Sequence, residues 1–380
     1  MSESLGETQK DFFSFFTSFG YKSQINTSLV SPVKDLLFPI CGGNYFEQYF
    51  KGNRIPEPEL NKIVRLQYCL RRDSNYRIGF SPKHLTFFEM LELFDFHANN
   101  FQLFEDAIYF ITSKIDSSKI SINVATPSPL KELVESTNLK IHYLPRENLI
   151  WHLKGGKYSG DRIEINYETP KIFCELWNLS YICNNTITSL VDSGMCLERL
   201  NMAINEYKNV FETEELLNIK KKLSKQISFE EPLSNYISDQ LRALQKLFLQ
   251  DILPGPRGAN GETRKLLKNV LVRIKNNDTD LNIIKEFLPY DNILNQEILI
   301  FEKNYNKAIR YLKNNLKQKT YDIQKVRELR MNQSIQEPIV FNWAQKNNIF
   351  FSLSKKNINI IGKETGIHLF DLEKILGEEQ

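Results

Sequence analysis

Hydrophobic and polar positions change rhythm near residue 200. Before that point, short runs with the two-residue period of strands dominate, at 63–70, 86–90, 120–124, 140–143, 149–153, 162–167 and 171–183. Helical spacing is confined there to 11–19, 104–112 and a segment opened by Thr126-Pro-Ser-Pro that runs to about residue 137, its prolines placed where a first turn tolerates them. Many strands with few helical crossovers predict a largely antiparallel sheet. After residue 200 the apolar positions recur with helical period over 200–211, 214–228, 233–248, 263–276 and a long stretch from 292 to about 329. The glycine-rich stretch 255–261 between two of them predicts a loop. The pattern predicts an α+β fold: an antiparallel sheet flanked by helices over 1–203, then a mainly helical domain over 204–380.

Composition narrows the class. Hydrophobic residues make up 41% and charged residues 25%, the proportions of an ordinary globular protein. Forty-nine basic and 46 acidic residues leave a net +3, which permits nucleic-acid binding without arguing for it. Lysine-rich stretches at 220–222 and 313–319 are solvated helix faces or contacts to an RNA backbone. No apolar run reaches membrane-spanning length and the N-terminus has no leader pattern, so a cytoplasmic location away from membranes is expected. The five cysteines and five histidines are scattered, and no zinc site or disulfide framework is expected. Neither a P-loop nor a G-x-G-x-x-G pattern is present, so any nucleotide must be held by other means.

The segment Ser189-Leu-Val-Asp-Ser-Gly-Met-Cys-Leu-Glu-Arg199 carries the most chemistry. Asp192, at what reads as a glycine turn, suits an ammonium group, and Arg199 suits a base face or a phosphate. Activation of an amino acid with ATP needs both. The reaction requires a carboxylate to attack the α-phosphate in line, which cations and fixed donors assist.

Three further segments precede it: Leu36-Leu-Phe-Pro-Ile-Cys-Gly-Gly-Asn-Tyr-Phe46, Gln67-Tyr-Cys-Leu-Arg71 and Lys83-His-Leu-Thr-Phe-Phe-Glu-Met90. In this order and spacing, the set resembles the core motifs of alanyl-tRNA synthetase, a class II aminoacyl-tRNA synthetase, over roughly residues 8–275. The resemblance implies the class II antiparallel sheet and formation of an aminoacyl-adenylate from a small amino acid and ATP. It assigns catalysis to Arg71 and Arg199, and ATP binding to Arg71, His84, Phe88 and Arg199, with adenine between Phe88 and the Arg199 guanidinium. It places the amino acid against Trp151, Asn178, Ser180, Asp192 and Gly194, with Asp192 on the ammonium. Mg²⁺ on the ATP falls to Glu175 first and Glu164 second. In the helical part, Ile237-Ser-Asp-Gln-Leu-Arg242 and Leu253-Pro-Gly are similar to the family's tRNA-recognition region.

The departures from the family are specific. The loop 72–83 is shorter, Pro39-Ile-Cys-Gly-Gly43 replaces Thr-Asn-Ala-Gly-Met, Cys196 replaces a glycine, and Lys154-Gly-Gly-Lys-Tyr-Ser-Gly160 replaces a Gly-Pro-Cys-rich stretch. Ser180 stands where the family's pocket has a valine, a change typically worth ~1–3 kcal/mol that disfavours a bare methyl side chain. The family's residues that read the acceptor stem have no convincing counterparts, and no editing domain is expected within these 380 residues. Three readings stay open: an enzyme passing its adenylate to a small molecule, carrier protein or special tRNA; a truncated tRNA ligase; or a non-catalytic binding protein. The acceptor, the amino acid and the oligomeric state are left open.

Overall fold

In the computed structural model the chain divides into two compact units, Met1–Leu70 with Phe88–Glu214, and Arg71–Phe87 with Glu215–Gln380. Residues 3–34, 36–46, 62–96, 101–152, 159–183, 189–352, 358–365 and 367–376 are described.

The first unit opens with α1 (Leu5–Ser18), started by Ser4 and Glu7, which cap each other's backbone N–H reciprocally. Then come β1 (Lys22–Asn26), β2 (Lys62–Leu70), β3 (Phe87–Asp95), α2 (Gln102–Lys114), β4 (Ile120–Thr126), α3 (Lys131–Glu135) and β5 (Lys140–Pro145). They are followed by β6 (Ile150–His152), β7 (Ser159–Glu168), β8 (Phe173–Cys183), β9 (Ser189–Cys196) and α4 (Leu197–Ile204). The sheet runs β1-β2-β3-β9-β8-β7-β4-β5, with β6 added to β7. The pairs β3–β9, β9–β8, β8–β7 and β7–β4 are antiparallel, whereas β1–β2 and β4–β5 are parallel. The α+β architecture with a mostly antiparallel sheet is the one the alternating runs predict.

Two faces of the sheet have different jobs. On one, Trp177 of β8 packs against Phe12 and Phe16 of α1 and Phe110 of α2, with ring centroids 5.8, 5.9 and 6.3 Å away. On the other, Phe94, Ile182 and Leu190 form a small apolar cluster with Phe46 and Ile63. Beyond that cluster the second face carries mostly polar side chains, together with Met90 and Phe88 of β3.

The second unit is mainly helical: α5 (Glu214–Ser224) at its start, then α6 (Glu231–Phe248), α7 (Gly258–Asn276), α8 (Asp291–Asn315), α9 (Gln324–Gln333), α10 (Glu337–Lys346), α11 (Ile358–Thr365) and α12 (Leu369–Leu376). A two-stranded parallel ladder joins β10 (Thr320–Asp322) to β11 (Phe350–Ser352). No described helix is long and apolar enough to cross a membrane.

Four sequence expectations need correction. The pattern over 292–329 is not one helix: α8 ends at Asn315, and Tyr321 pairs in β10 opposite Phe351. The stretch 255–261 is loop only at its start, because α7 begins at Gly258, whose φ of +60° is one that glycine adopts without strain. Helix 200–211 stops at Ile204, where Glu206 turns left-handed (φ 55°). The helix expected from Thr126 shrinks to the five residues of α3.

Candidate amino-acid and nucleotide site

Strand register fixes which side chains share the polar face, because directly opposed residues of an antiparallel pair project to the same side. Asp192 of β9 lies opposite Phe94 of β3 and Ser180 of β8, and Ser180 lies opposite Arg162 of β7. One step along, Gly194 lies opposite Glu92 and Asn178, Asn178 opposite Glu164, and Glu164 opposite Asn123 of β4. Phe88 continues the same side of β3. Five residues chosen from sequence (Asn178, Ser180, Asp192, Gly194 and Glu164) therefore sit in two adjoining rows, and Phe88 shares their face.

An irregularity in the ladder sharpens the arrangement. Between Ile165 and Asn166 the register slips, so Glu175 rather than Leu176 opposes Asn166. Asn178 Nδ2 donates to Glu175 Oε1 (3.1 Å), and Arg199 Nη1 donates to the Glu175 carbonyl (2.9 Å). Arg199 stands on the first turn of α4, directly after β9. Its neighbour Glu198 is fully buried, and both carboxylate oxygens accept from the Glu89 N–H (3.2 Å each) while the Cys196 thiol donates to one of them (3.1 Å). Burial, reinforced by the Glu198 charge, pushes the Cys196 thiol well up and keeps it protonated. Glu198 thus fixes α4 against β3, a structural role the motif text did not assign.

Asp192 is not at a turn. It and Gly194 lie inside β9, which the sequence did not predict as a strand. The glycine answers a packing demand: a Cβ at Gly194 would stand 3.1 Å from the Met90 sulfur. Burial pushes the Asp192 carboxyl up to about 7.

Two further charged residues escaped the sequence reading. Glu92 and Arg65 are both buried, 4.0 Å apart, and the Arg65 guanidinium lies over the Tyr45 ring at 4.2 Å. Glu92 also accepts from the Gly42 N–H, and a Cβ at Gly42 would collide with that carboxylate. The glycine pair in Pro39-Ile-Cys-Gly-Gly43 is thereby explained at Gly42. Arg65 and Glu92 are far apart in sequence, and no local pattern pairs them.

The Mg²⁺ candidates differ in fitness. A metal carried on a nucleotide is held by phosphates plus one or two carboxylates. Glu175 has one oxygen engaged by a neutral amide rather than by a cation, so it fits. Glu164 is bound by Arg162 at 2.7 Å and by Asn123 at 3.0 Å, which neutralises it. Among the described residues, no three acidic, histidine or cysteine groups gather to hold a metal by themselves. Trp151 is on β6, opposite Gly160, but its side chain is outside the described residues, as is most of the 154–160 stretch.

Arg71 and His84 belong to the second unit, on the segment 71–87. The Arg71 N–H donates to the Thr86 carbonyl (2.9 Å), closing this segment as a hairpin, and Ser81 Oγ bonds His84 Nδ1. Helix α6 holds its end: the Thr86 N–H donates to Asp239 (2.9 Å), Gln240 donates to the Thr86 hydroxyl (2.7 Å), and Arg242 donates to the Phe87 carbonyl (3.3 Å) and lies over the Phe87 ring at 4.8 Å. Ser238, Asp239, Gln240 and Arg242 are buried. The polar side chains of the 237–242 motif therefore face inward.

Residues 7–125 match the family model described as tRNA synthetases class II (A). The chain is 25% identical over 429 aligned positions to the alanine–tRNA ligase of Buchnera aphidicola subsp. Cinara cedri (strain Cc), covering 92% of this chain and 48% of that protein. It is 26% identical over 319 positions to the alanine–tRNA ligase of Endomicrobium trichonymphae, covering 71% of this chain and 35% of that one. Among solved structures, apo histidyl-tRNA synthetase of S. aureus matches with a TM-score of 0.35 and 13% identity, over 55% of this chain and 71% of the other. The chain spans about half or less of the length of these curated relatives.

Proposed function

We propose that this chain, a homologue of alanine–tRNA ligases with a class II tRNA synthetase domain, activates a small amino acid with ATP as an aminoacyl-adenylate. The observation that carries the reading is the single polar sheet face bearing Asp192, Asn178 and Glu175, with Arg199 tied to the Glu175 carbonyl at 2.9 Å.

Asp192, half-buried, would take the substrate ammonium, gaining more there than a fully exposed ion pair does. Asn178 would fix the pocket end nearest Glu175. Arg199 would meet the adenine or α-phosphate, its orientation set by a backbone carbonyl rather than by a mobile side chain. Phe88, 7% exposed and on the same face, would supply the opposite ring surface for adenine. Arg71 and His84 are proposed to contact phosphates. Mg²⁺, when bound with ATP, offsets phosphate charge, and Glu175 would hold it. The attacking carboxylate and the α-phosphorus form the new bond as pyrophosphate leaves.

The names of the relatives, all alanine–tRNA ligases, support tRNA as the acceptor of the activated residue. A small-molecule or carrier-protein acceptor has no such support. The experiment for the first step is ATP–pyrophosphate exchange without tRNA across the standard amino acids. Exchange dependent on one or a few of them bears the proposal out; ATP binding with no exchange under any amino acid contradicts it. A mobility shift with tRNA then tests the acceptor.

A further inference from the structure

The amino-acid pocket proposed above, on which this inference rests, has an end whose hydrogen-bonding capacity is unused. Ser180 is 1% exposed, and its Oγ has no hydrogen-bond partner among the described residues. Its register neighbours are Asp192 on β9 and Arg162 on β7, all projecting from one face. Arg162 Nε is likewise buried without a partner among the described residues, while another nitrogen of that guanidinium holds Glu164 at 2.7 Å.

Buried polar groups are rarely left unpaired, and each such exception calls for a reason. Two on adjacent strands, beside the carboxyl assigned to the ammonium, share one reason: a ligand supplies the missing group. Their chemistry narrows what that group is. An arginine nitrogen only donates, and a serine hydroxyl both donates and accepts, so one ligand atom serving both must accept. That atom is an oxygen. Charge narrows it further. Asp192 and Glu175 occupy the same face, with Glu164 already paired to Arg162, so a side-chain carboxylate would be set beside two acidic groups. An apolar methyl would leave both donors unsatisfied.

We propose that the substrate is a small amino acid with a neutral oxygen-bearing side chain, a hydroxyl or amide, and that Ser180 is the residue that selects it over alanine.

The test is ATP–pyrophosphate exchange by the full chain with serine, threonine, asparagine, alanine, glycine and valine, using the wild type, Ser180→Ala and Ser180→Thr. The wild type should favour one of the oxygen-bearing substrates over alanine by about tenfold or more in kcat/KM, the effect of one hydrogen bond made or lost in a buried site. Ser180→Ala should bring that ratio to about one while leaving the KM for ATP unchanged. Ser180→Thr should keep most of the preference. A wild type that prefers alanine, glycine or valine overturns the inference, and this comparison needs no variant to fold. A ratio that Ser180→Ala, folded by circular dichroism, does not move also overturns it. Silence with every amino acid instead overturns the activation reading itself, and this inference falls with it.

Discussion

Arg199, on the first turn of α4, donates a 2.9 Å hydrogen bond to the backbone carbonyl of Glu175 on β8. Because the acceptor is backbone, the guanidinium stays aimed whatever the Glu175 side chain does. Arg199→Ala should therefore weaken ATP binding about tenfold to a hundredfold, the range for a charge-assisted hydrogen bond or a desolvated cation–π contact. Glu175→Gln should leave ATP affinity without Mg²⁺ unchanged and raise the Mg²⁺ requirement. Titration calorimetry with and without Mg²⁺ separates the two. Equal ATP affinity in Arg199→Ala and wild type would sink the assignment.

Asp192 predicts a pH signature. Its carboxyl is pushed up to about 7 by burial, so without substrate it is largely neutral at pH 6 and must ionise to hold an ammonium group. The KM for the amino acid should fall as pH rises from 6 towards 7, by up to about tenfold per unit, and level off above it. The sign for stability is opposite: the folded protein holds a proton that the unfolded chain releases near pH 4, so this group's contribution is present at low pH and lost as pH rises through about 7. Asp192→Asn should abolish amino-acid-dependent activity, spare ATP binding and stabilise the ligand-free protein at pH 8. A KM that is flat with pH in the wild type contradicts the role.

Asp239 of α6 receives the Thr86 N–H at 2.9 Å in a fully buried setting. Asp239→Ala leaves that donor unpaired and should cost about 1–3 kcal/mol in urea unfolding, whereas Asp239→Asn, which keeps an acceptor, should cost less. The same two variants should change tRNA affinity little, since the side chain faces inward. A tRNA-specific loss in Asp239→Asn would show that the motif reads RNA after all.

His368 gives the second unit an acid-sensitive point. It is buried against Tyr236, its Nε2 lies 2.9 Å from the Ile78 carbonyl, and burial pushes it down to about 4. The unfolded chain takes up a proton near pH 6.5 that the folded protein refuses, so stability falls as pH drops from about 6.5 to 4, by up to ~1.4 kcal/mol per unit for this one group. His368→Gln should flatten that part of the profile. An unchanged slope between pH 6 and 4 would mean that other groups set it.

The alternating runs made most strands of the sheet readable, because β-branched and aromatic residues at period two have few other uses. Asn178 and Ser180 came from the motif resemblance and Asp192 from the chemistry of its segment, and strand register is what sets the three on one face. Gly194 misled, since a glycine beside polar residues reads as a turn when the demand is the Met90 side chain pressing from β3. The break after Asn315 was hidden because its lysines and leucine still fit helical spacing, and only the pairing of Tyr321 with Phe351 overrides it. Glu92 with Arg65, and a Ser180 hydroxyl without a partner among the described residues, are facts of long-range packing that no local pattern encodes.

The chemistry proposed for this sheet face is formation of an aminoacyl-adenylate. Its most direct measurement is mass-spectrometric detection of that adenylate after a rapid quench of the protein with ATP, Mg²⁺ and an amino acid that supports exchange, with Asp192→Asn alongside. The wild type should yield an adenylate and Asp192→Asn none, with ATP bound by both. Bound ATP with no adenylate from the wild type, or equal adenylate from both proteins, would contradict it.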